Sequence, residues 1–149
     1  MRNVNTVVAA SAVIIAGAFG AFGALAFDEG QYQSLRGGHN DCRWCDLSNA
    51  DLSKIRLSSV SLKGANLSGA NLSGAILAKV NLSGADLTGA IVTGAQLSET
   101  NLKGAELDQV DLSEAVLSDV QLETAYCDWA TKLPKSLDVV CVGVSVQRK

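Results

Sequence analysis

The sequence predicts an all-β fold, a four-sided parallel β-helix of about four 20-residue coils that is capped at both ends. Leucine recurs every five residues through sixteen consecutive units from Leu47 to Leu122, with Val92 as the single substitute. A period of five fits neither an α-helix at 3.6 residues per turn nor a strand at 2.0. No aromatic residue lies between Trp44 and Tyr126, so the core does not depend on bulky aromatic side chains. Each unit is therefore expected to be a short extended segment followed by a tight turn.

The N-terminal segment, residues 1–26, is predicted to be an export signal. Arg2 is its only charge, and an uncharged Ala-rich and Gly-rich stretch ends in the sequence Ala24-Leu25-Ala26. This small-x-small pattern suits signal peptidase, so cleavage is expected after Ala26.

An uncleaved membrane anchor is the alternative for the same segment, because about 20 apolar residues span a bilayer. A small-xxx-small row also runs through it, formed by Ala12, Ala16, Gly20 and Ala24. Both interpretations place residues 28–149 outside the cytoplasm, in a periplasm or comparable lumen or as a secreted protein. No membrane contact is expected beyond this segment.

Within each repeat, alternation assigns the side chains to the inside or the outside. The leucine and the residue two before it point inward, as strand geometry requires, and the residue directly before the leucine points outward. Eight of these sixteen outward residues are Asp or Asn. They are expected to make local backbone hydrogen bonds and stacked ladders rather than catalytic carboxylate pairs.

A spacing of 20 residues indicates four sides per coil. The β-branched residues Val60, Val80, Thr100 and Val120 form one column at this spacing, and Gly64, Gly84 and Gly104 form another. The glycines occupy the third turn position, which predicts type II turns there, because that position needs a positive φ. One column, Ser59, Lys79, Glu99 and Asp119, has no glycine, and its side is called the glycine-free side below. Another turn type is expected on the glycine-free side.

The doubled sequence Ala-Asn-Leu-Ser-Gly at residues 65–74 resembles the pentapeptide-repeat family, and the resemblance covers about residues 42–127. It implies a right-handed quadrilateral β-helix and says little about function. The expected divisions are the signal at 1–26, a lead-in and cap at 27–41, the β-helix at 42–127 and a C-terminal cap and tail at 128–149. The valines from Val139 to Val146 are expected to form one final strand, with Gly143 as a possible bulge.

The four cysteines lie at the two ends of the repeats. Cys127 is about four coils, roughly 20 Å, from Cys42 and Cys45, against a Cα limit of about 7 Å for a disulfide. Cys127 is therefore expected to pair with Cys141, which leaves Cys42 and Cys45 as the second disulfide if both are oxidised.

The spacing His39-x-x-Cys42-x-x-Cys45 also allows a zinc half-site or a thiol-redox pair. Against both, no strand–helix context surrounds the cysteines and no second ligand pair follows. A structural disulfide is the favoured interpretation, and no metal or cofactor is expected.

Function is predicted as an exported structural or protein-binding rod without catalytic activity. His39 is the single histidine and lies outside the repeats, so no Ser-His-Asp set forms on the rod. A net charge of −3 and a pI of about 5.0 do not suggest a nucleic-acid binder. The alternatives are a thiol-redox protein using Cys42 and Cys45, and a DNA mimic that binds DNA gyrase, as the resemblance implies for some family members. Residues 86–128 carry nine acids and one base, but the acids spread over every side rather than forming one stripe.

A docking surface is predicted on the glycine-free side. Ile76 and Val116 stand where most repeats carry a polar residue, and Ile91 does so on the neighbouring side. These three aliphatic residues are the candidate contacts for an unknown protein partner or a second copy of the chain. Scattered exposed aliphatic residues are also normal on protein surfaces.

Overall fold

The computed structural model describes residues 27–137, 139–142 and 145–148. The predicted signal or anchor at residues 1–26 lies outside the described residues. In the described part of the chain, no helix combines the length and the apolar character needed to cross a bilayer.

The repeats form the predicted right-handed β-helix with 20 residues per coil. On the glycine-free side, β1 (Arg56–Ser58), β2 (Ile76–Ala78), β3 (Gln96–Ser98) and β4 (Val116–Ser118) build one parallel sheet in sequence order. Each residue of a strand pairs with the residue 20 positions later in the next strand, as Leu57 does with Leu77. The other three sides pair through single-residue parallel bridges at the same spacing, such as Asn66 with Asp86. The fold class predicted from the repeat is confirmed.

Stacked leucine and alanine side chains fill the interior. Nearly all the repeat leucines are buried, and the alanines two positions before them lie beside them in the same core. The β-branched column is also inside, with Val80 and Thr100 fully buried. Leu117 and Val120 in the last coil are only partly buried.

The outward Asp and Asn residues bond to the local backbone, as predicted. The Asn71 side-chain oxygen accepts from the Ser73 N–H at 3.0 Å, and the Asn81 oxygen accepts from the Ser83 N–H at the same distance. Neighbouring coils are also linked, because the Asn66 amide donates to the Asp46 carboxylate at 3.3 Å. These polar groups are therefore engaged in stabilising the turns.

The turns differ between sides, although not in the way glycine placement suggests. At the glycine turns φ is +64 to +66°, and an i to i+3 hydrogen bond closes each turn, as from Ala65 N–H to Leu62 C=O at 3.0 Å. Within the described coils, the four turns of the glycine-free side lack this bond. Their third residues nevertheless have φ of +54 to +57°, so a positive φ is not confined to the glycine corners.

A short helix that the sequence analysis did not predict caps the N-terminal end of the core. Helix α1 (Glu29–Arg36) starts at Asp28, whose side chain accepts from the Gln31 N–H. Its buried residues are Tyr32 and Leu35, and the Tyr32 hydroxyl donates to the Asp51 carbonyl at 2.9 Å. An Asp before the helix and a Glu in its first turn are start signals that were present in the sequence.

The C-terminal end contains one irregular coil and a hairpin. Asp111 bridges to Lys132, so this coil is one residue longer than the others. Residues after it form β5 (Val139–Val142) and β6 (Ser145–Arg148), which pair antiparallel. The prediction of a single final strand is wrong, because only two residues separate these segments and both pair fully. Gly143, the predicted bulge, lies outside the described residues.

Candidate functional site

The glycine-free side is the one face of the β-helix that forms a continuous sheet. Its outer surface carries the residues before and after each leucine in register, so the strands stack as rows. One row is Arg56, Ile76, Gln96 and Val116, and the other is Ser58, Ala78, Ser98 and Ser118. None of these eight residues is Asp or Asn, so the side-chain bonds that tie the outward residues to the turns on the other sides have no counterpart here.

The three candidate contact residues differ in exposure. Val116 is 54% exposed and Ile91 is 51% exposed, so both present most of an aliphatic side chain to solvent. Ile76 is half-buried, since Arg56 on the preceding strand and Gln96 on the following strand lie on either side of it. The surface is therefore a strip of mixed character, in which the polar Gln96 separates the aliphatic Ile76 and Val116.

Charges lie at the edges of this strip rather than on it. Arg56 stands at the N-terminal end of the row and Asp119 follows the last strand. Along the adjoining corner, the Lys79 ammonium lies 3.8 Å from the Glu99 carboxylate, and both side chains are more than half exposed. Such an exposed pair contributes little to stability, and it leaves the centre of the face uncharged.

The cysteine motif at the N-terminal end is closed by a disulfide. Cys42 and Cys45 are joined at 2.03 Å between sulfurs, with 5.3 Å between Cα atoms, and both are buried. A zinc half-site needs free thiolates, which the disulfide removes, whereas a thiol-redox pair passes through this same disulfide in its oxidised state. Cys127 is also fully buried and disulfide-bonded. The side chain of Cys141 lies outside the described part of the chain, so the Cys127–Cys141 pairing stays a prediction.

His39 does not join the cysteines in a metal cluster. Its Nδ1 atom lies 3.1 Å from the Ser34 carbonyl oxygen, at the end of α1. Across residues 27–137 and the two described tail strands, no group of His, Cys, Asp and Glu has the arrangement of a metal site.

Comparison with protein families identifies the repeat. A family model described as pentapeptide repeats matches eight copies over residues 41–77, 55–94 and 81–119. The chain belongs to the pentapeptide-repeat family. A comparison with curated protein sequences returned no match.

Solved structures of pentapeptide-repeat proteins resemble the chain. One from the cyanobacterium Cyanothece 51142 is 39% identical with a TM-score of 0.50, over 58% of this chain and 56% of that one. One from Nostoc PCC 7120 is 34% identical with a TM-score of 0.39, over 73% of this chain and 86% of that one. The plasmid-mediated fluoroquinolone resistance protein QnrB1 is 25% identical with a TM-score of 0.28, over 60% of each chain. The chain thus spans just over half of the Cyanothece structure.

Pentapeptide-repeat proteins are generally structural or binding proteins rather than enzymes. Counting in steps of 20 predicts Ile76 and Val116 on the glycine-free side, and the strand register has them there. The sequence analysis missed the continuous sheet, because strand pairing along one side depends on the turn geometry rather than on the outward residues.

Proposed function

We propose that this chain is a non-catalytic protein-binding module that acts outside the cytoplasm, and that the glycine-free side is its docking face. The observation that carries the proposal is the flat parallel sheet with Ile76 and Val116 on its outer surface, over an interior filled by leucine and alanine. A filled interior offers no cavity for a substrate, so the function is assigned to the outer surface.

The size of the face argues for a partner that reaches beyond it. Four strands at about 4.8 Å spacing give a height of about 15 Å, and each side is only a few residues wide. Such an area falls well short of the roughly 800 Å² per partner that a stable interface buries. The partner is therefore expected to be a protein that also covers Ile91 on the neighbouring side, rather than a second copy held by this sheet alone.

Export supports the same proposal. The uncharged segment ending at Ala26 resembles a signal peptide, and disulfides such as Cys42–Cys45 persist in oxidising compartments. N-terminal sequencing of the protein recovered from the exported fraction is expected to begin at Phe27. A mature chain that retains residues 1–26 would contradict cleavage.

Photo-crosslinking in cells tests the docking face directly. A photoreactive amino acid at Ser98 is expected to capture one defined protein, identified by mass spectrometry, and the same group at Asn81 on another side is expected to capture none. The double variant Ile76→Asp with Val116→Asp should abolish the Ser98 crosslink, because two buried charges oppose an apolar contact.

A charge-matched variant controls for the added carboxylates. Asn81→Asp with Asn101→Asp adds the same charge on another side and keeps the oxygen that each turn uses. Circular dichroism should be unchanged in both variants. An undiminished Ser98 crosslink in the Ile76 and Val116 variant would show that the glycine-free side is not the docking face, and a crosslink to a second copy would identify self-association instead.

A further inference from the structure

The first strand of the glycine-free side has an open edge. In each coil, the residue before the leucine directs both its N–H and its C=O toward the preceding coil. Asn66 shows the pattern, since its N–H donates to the Cys45 carbonyl at 2.9 Å and its C=O accepts from the Leu47 N–H at 2.8 Å. Arg56 holds this position in β1, and among the described residues none bonds to its backbone N–H or C=O.

The lead-in segment covers the corresponding groups on the other three sides. It uses backbone groups on two sides, since the Asp28 N–H also donates to the Asp46 C=O at 3.0 Å, and side chains of α1 at Asp46 and Asp51. The contacts are Asn40 C=O to Ser61 N–H at 2.8 Å, Gln31 Oε1 to Asp46 N–H at 2.8 Å and Tyr32 hydroxyl to Asp51 C=O at 2.9 Å. Among the described residues the Asp51 N–H also lacks a partner, so the glycine-free side is the one where both backbone groups are open.

A cavity of about 150 Å³ lies beneath β1, between the strand and the end of α1. Its apolar walls are Leu35, Ile55 and Val60, and its polar walls include Arg36, His39 and Arg56. No Asp or Glu lines it. The cavity therefore combines apolar walls, two arginine residues and a strand edge with open backbone groups.

Arg36 is held in position at this cavity. It donates to the Tyr32 hydroxyl at 2.7 Å, and its guanidinium lies 5.5 Å from the centre of the Tyr32 ring. The hydrogen bond with Tyr32 raises the pKa of Arg36, and the carboxylate of Asp51 adds a smaller effect in the same direction. Asp51 acts on Arg36 from outside the cavity, and among the residues that line the cavity the two arginines have no acidic counterpart.

We infer that this open edge binds an extended acidic segment of the partner protein, which adds a strand beneath β1 and places a carboxylate between Arg36 and Arg56. The inference rests on the proposed function and specifies part of the partner. Strand addition to an exposed sheet edge supplies main-chain hydrogen bonds, and alternate side chains of the added strand reach the adjoining pockets. A fully ionised phosphate group would pair with the two arginines but offers no donor to the Arg56 carbonyl, so an extended peptide satisfies more of the cavity.

Synthetic peptides test this inference on the processed protein from the exported fraction. A fluorescein-labelled hexapeptide of alternating Val and Glu is expected to bind, as measured by fluorescence anisotropy, and to shift the Arg56 amide resonance in NMR spectra. A peptide of alternating Val and Lys should not bind. A peptide of alternating Pro and Glu has the same charge but fewer N–H donors, and it should bind about tenfold more weakly because main-chain bonds are lost.

Variants then separate the edge from other cationic sites. Arg36→Gln with Arg56→Gln should weaken Val-Glu peptide binding about tenfold or more, since charge-assisted bonds are lost. Lys63→Gln with Lys103→Gln removes the same charge elsewhere and should leave the dissociation constant unchanged. If loss of the Arg36–Tyr32 contact disturbs helix α1, the single variant Arg56→Gln replaces the double variant in this test.

Three outcomes would overturn the inference. They are no binding of the Val-Glu peptide, equal binding of the Pro-Glu peptide, and an equal loss of affinity in the double-arginine and the double-lysine variants. A dimer that protects the Arg56 amide from exchange would also overturn it in favour of a second copy. The Ile76→Asp and Val116→Asp variant should still bind the peptide. If the protein without these substitutions does not bind the Val-Glu peptide but still forms the Ser98 crosslink, the edge is refuted and the docking face is not.

Discussion

The hydroxyl of Thr100 donates a hydrogen bond of 2.9 Å to the carbonyl of Leu77, which lies 23 residues earlier, inside the β-helix. Thr100 is fully buried, and the equivalent positions in neighbouring coils are Val60, Val80 and Val120. The bond satisfies the one hydroxyl in this inward column. A polar residue thereby fits an apolar interior without an unpaired donor.

Replacing Thr100 by valine is therefore expected to be nearly neutral. Thr100→Val keeps the shape and removes the hydroxyl, so the free energy of unfolding should change by less than about 1 kcal/mol. Thr100→Ala removes the hydroxyl and the methyl group and should cost about 1 to 2 kcal/mol more, because it leaves a void among the leucines. Urea unfolding measures both. A valine variant that is the less stable of the two would show that the Leu77 contact matters more than packing.

The turn glycines are expected to differ in their tolerance of alanine. Gly84 has φ of +64° and no atom near its missing Cβ, so Gly84→Ala should cost about 1 kcal/mol for the left-handed backbone alone. Gly64 has φ of +66°, and a Cβ there would run into the Trp44 ring. Gly64→Ala should cost about 1 kcal/mol more than Gly84→Ala, since the ring must leave the turn.

Urea unfolding of the two alanine variants gives this comparison. Trp44 is 72% exposed, so its ring has room to swing into solvent and the fold is expected to survive. Equal costs for the two substitutions would mean that the Trp44 ring contributes nothing to this turn. Ser59 and Lys79 already hold a positive φ without glycine, which shows that the corner accepts a side chain where space is open.

Acid is expected to loosen the C-terminal coil. The Lys132 ammonium lies 2.8 Å from Asp111 and, together with the Ser113 hydroxyl and N–H, lowers the Asp111 pKa to about 2 from an ordinary value of 3.8. A lowered pKa in the folded state stabilises the fold above about pH 4, and this contribution is lost as the pH falls toward 2. Because both side chains are largely exposed, the effect should be small and weaker at high salt.

Hydrogen exchange of the Leu112 amide measures the loosening of the C-terminal coil by acid, since that N–H donates to the Lys132 carbonyl at 2.8 Å. Its protection should fall between pH 4 and 2 once the intrinsic pH dependence of exchange is subtracted. In Asp111→Asn the protection at neutral pH should be lower, and the acid-dependent part should disappear. An unchanged acid dependence in that variant would assign the effect to another carboxylate.

The sequence alone determined the coil. Leucine every five residues and matching columns every 20 leave one arrangement in which Val80 and Leu82 both reach the interior, because side-chain direction alternates along an extended chain. The local role of the Asp and Asn residues followed in the same way, since a carbonyl group such as that of Asn71 reaches the N–H two residues on without any distant contact. The glycine-free side and its aliphatic residues were also predicted by counting.

Only the tertiary structure decided what each side does. Lys79 and Glu99 take a positive φ at corners that close without an i to i+3 hydrogen bond, and no local preference of these residues predicts that. The half-burial of Ile76 depends on neighbouring strands, and the gap beneath Arg56 depends on where α1 lies against the first coil. These features arise from contacts between segments about 20 residues apart or more. A repeat pattern specifies the spacing of such segments but not which backbone groups the ends of the chain will cover.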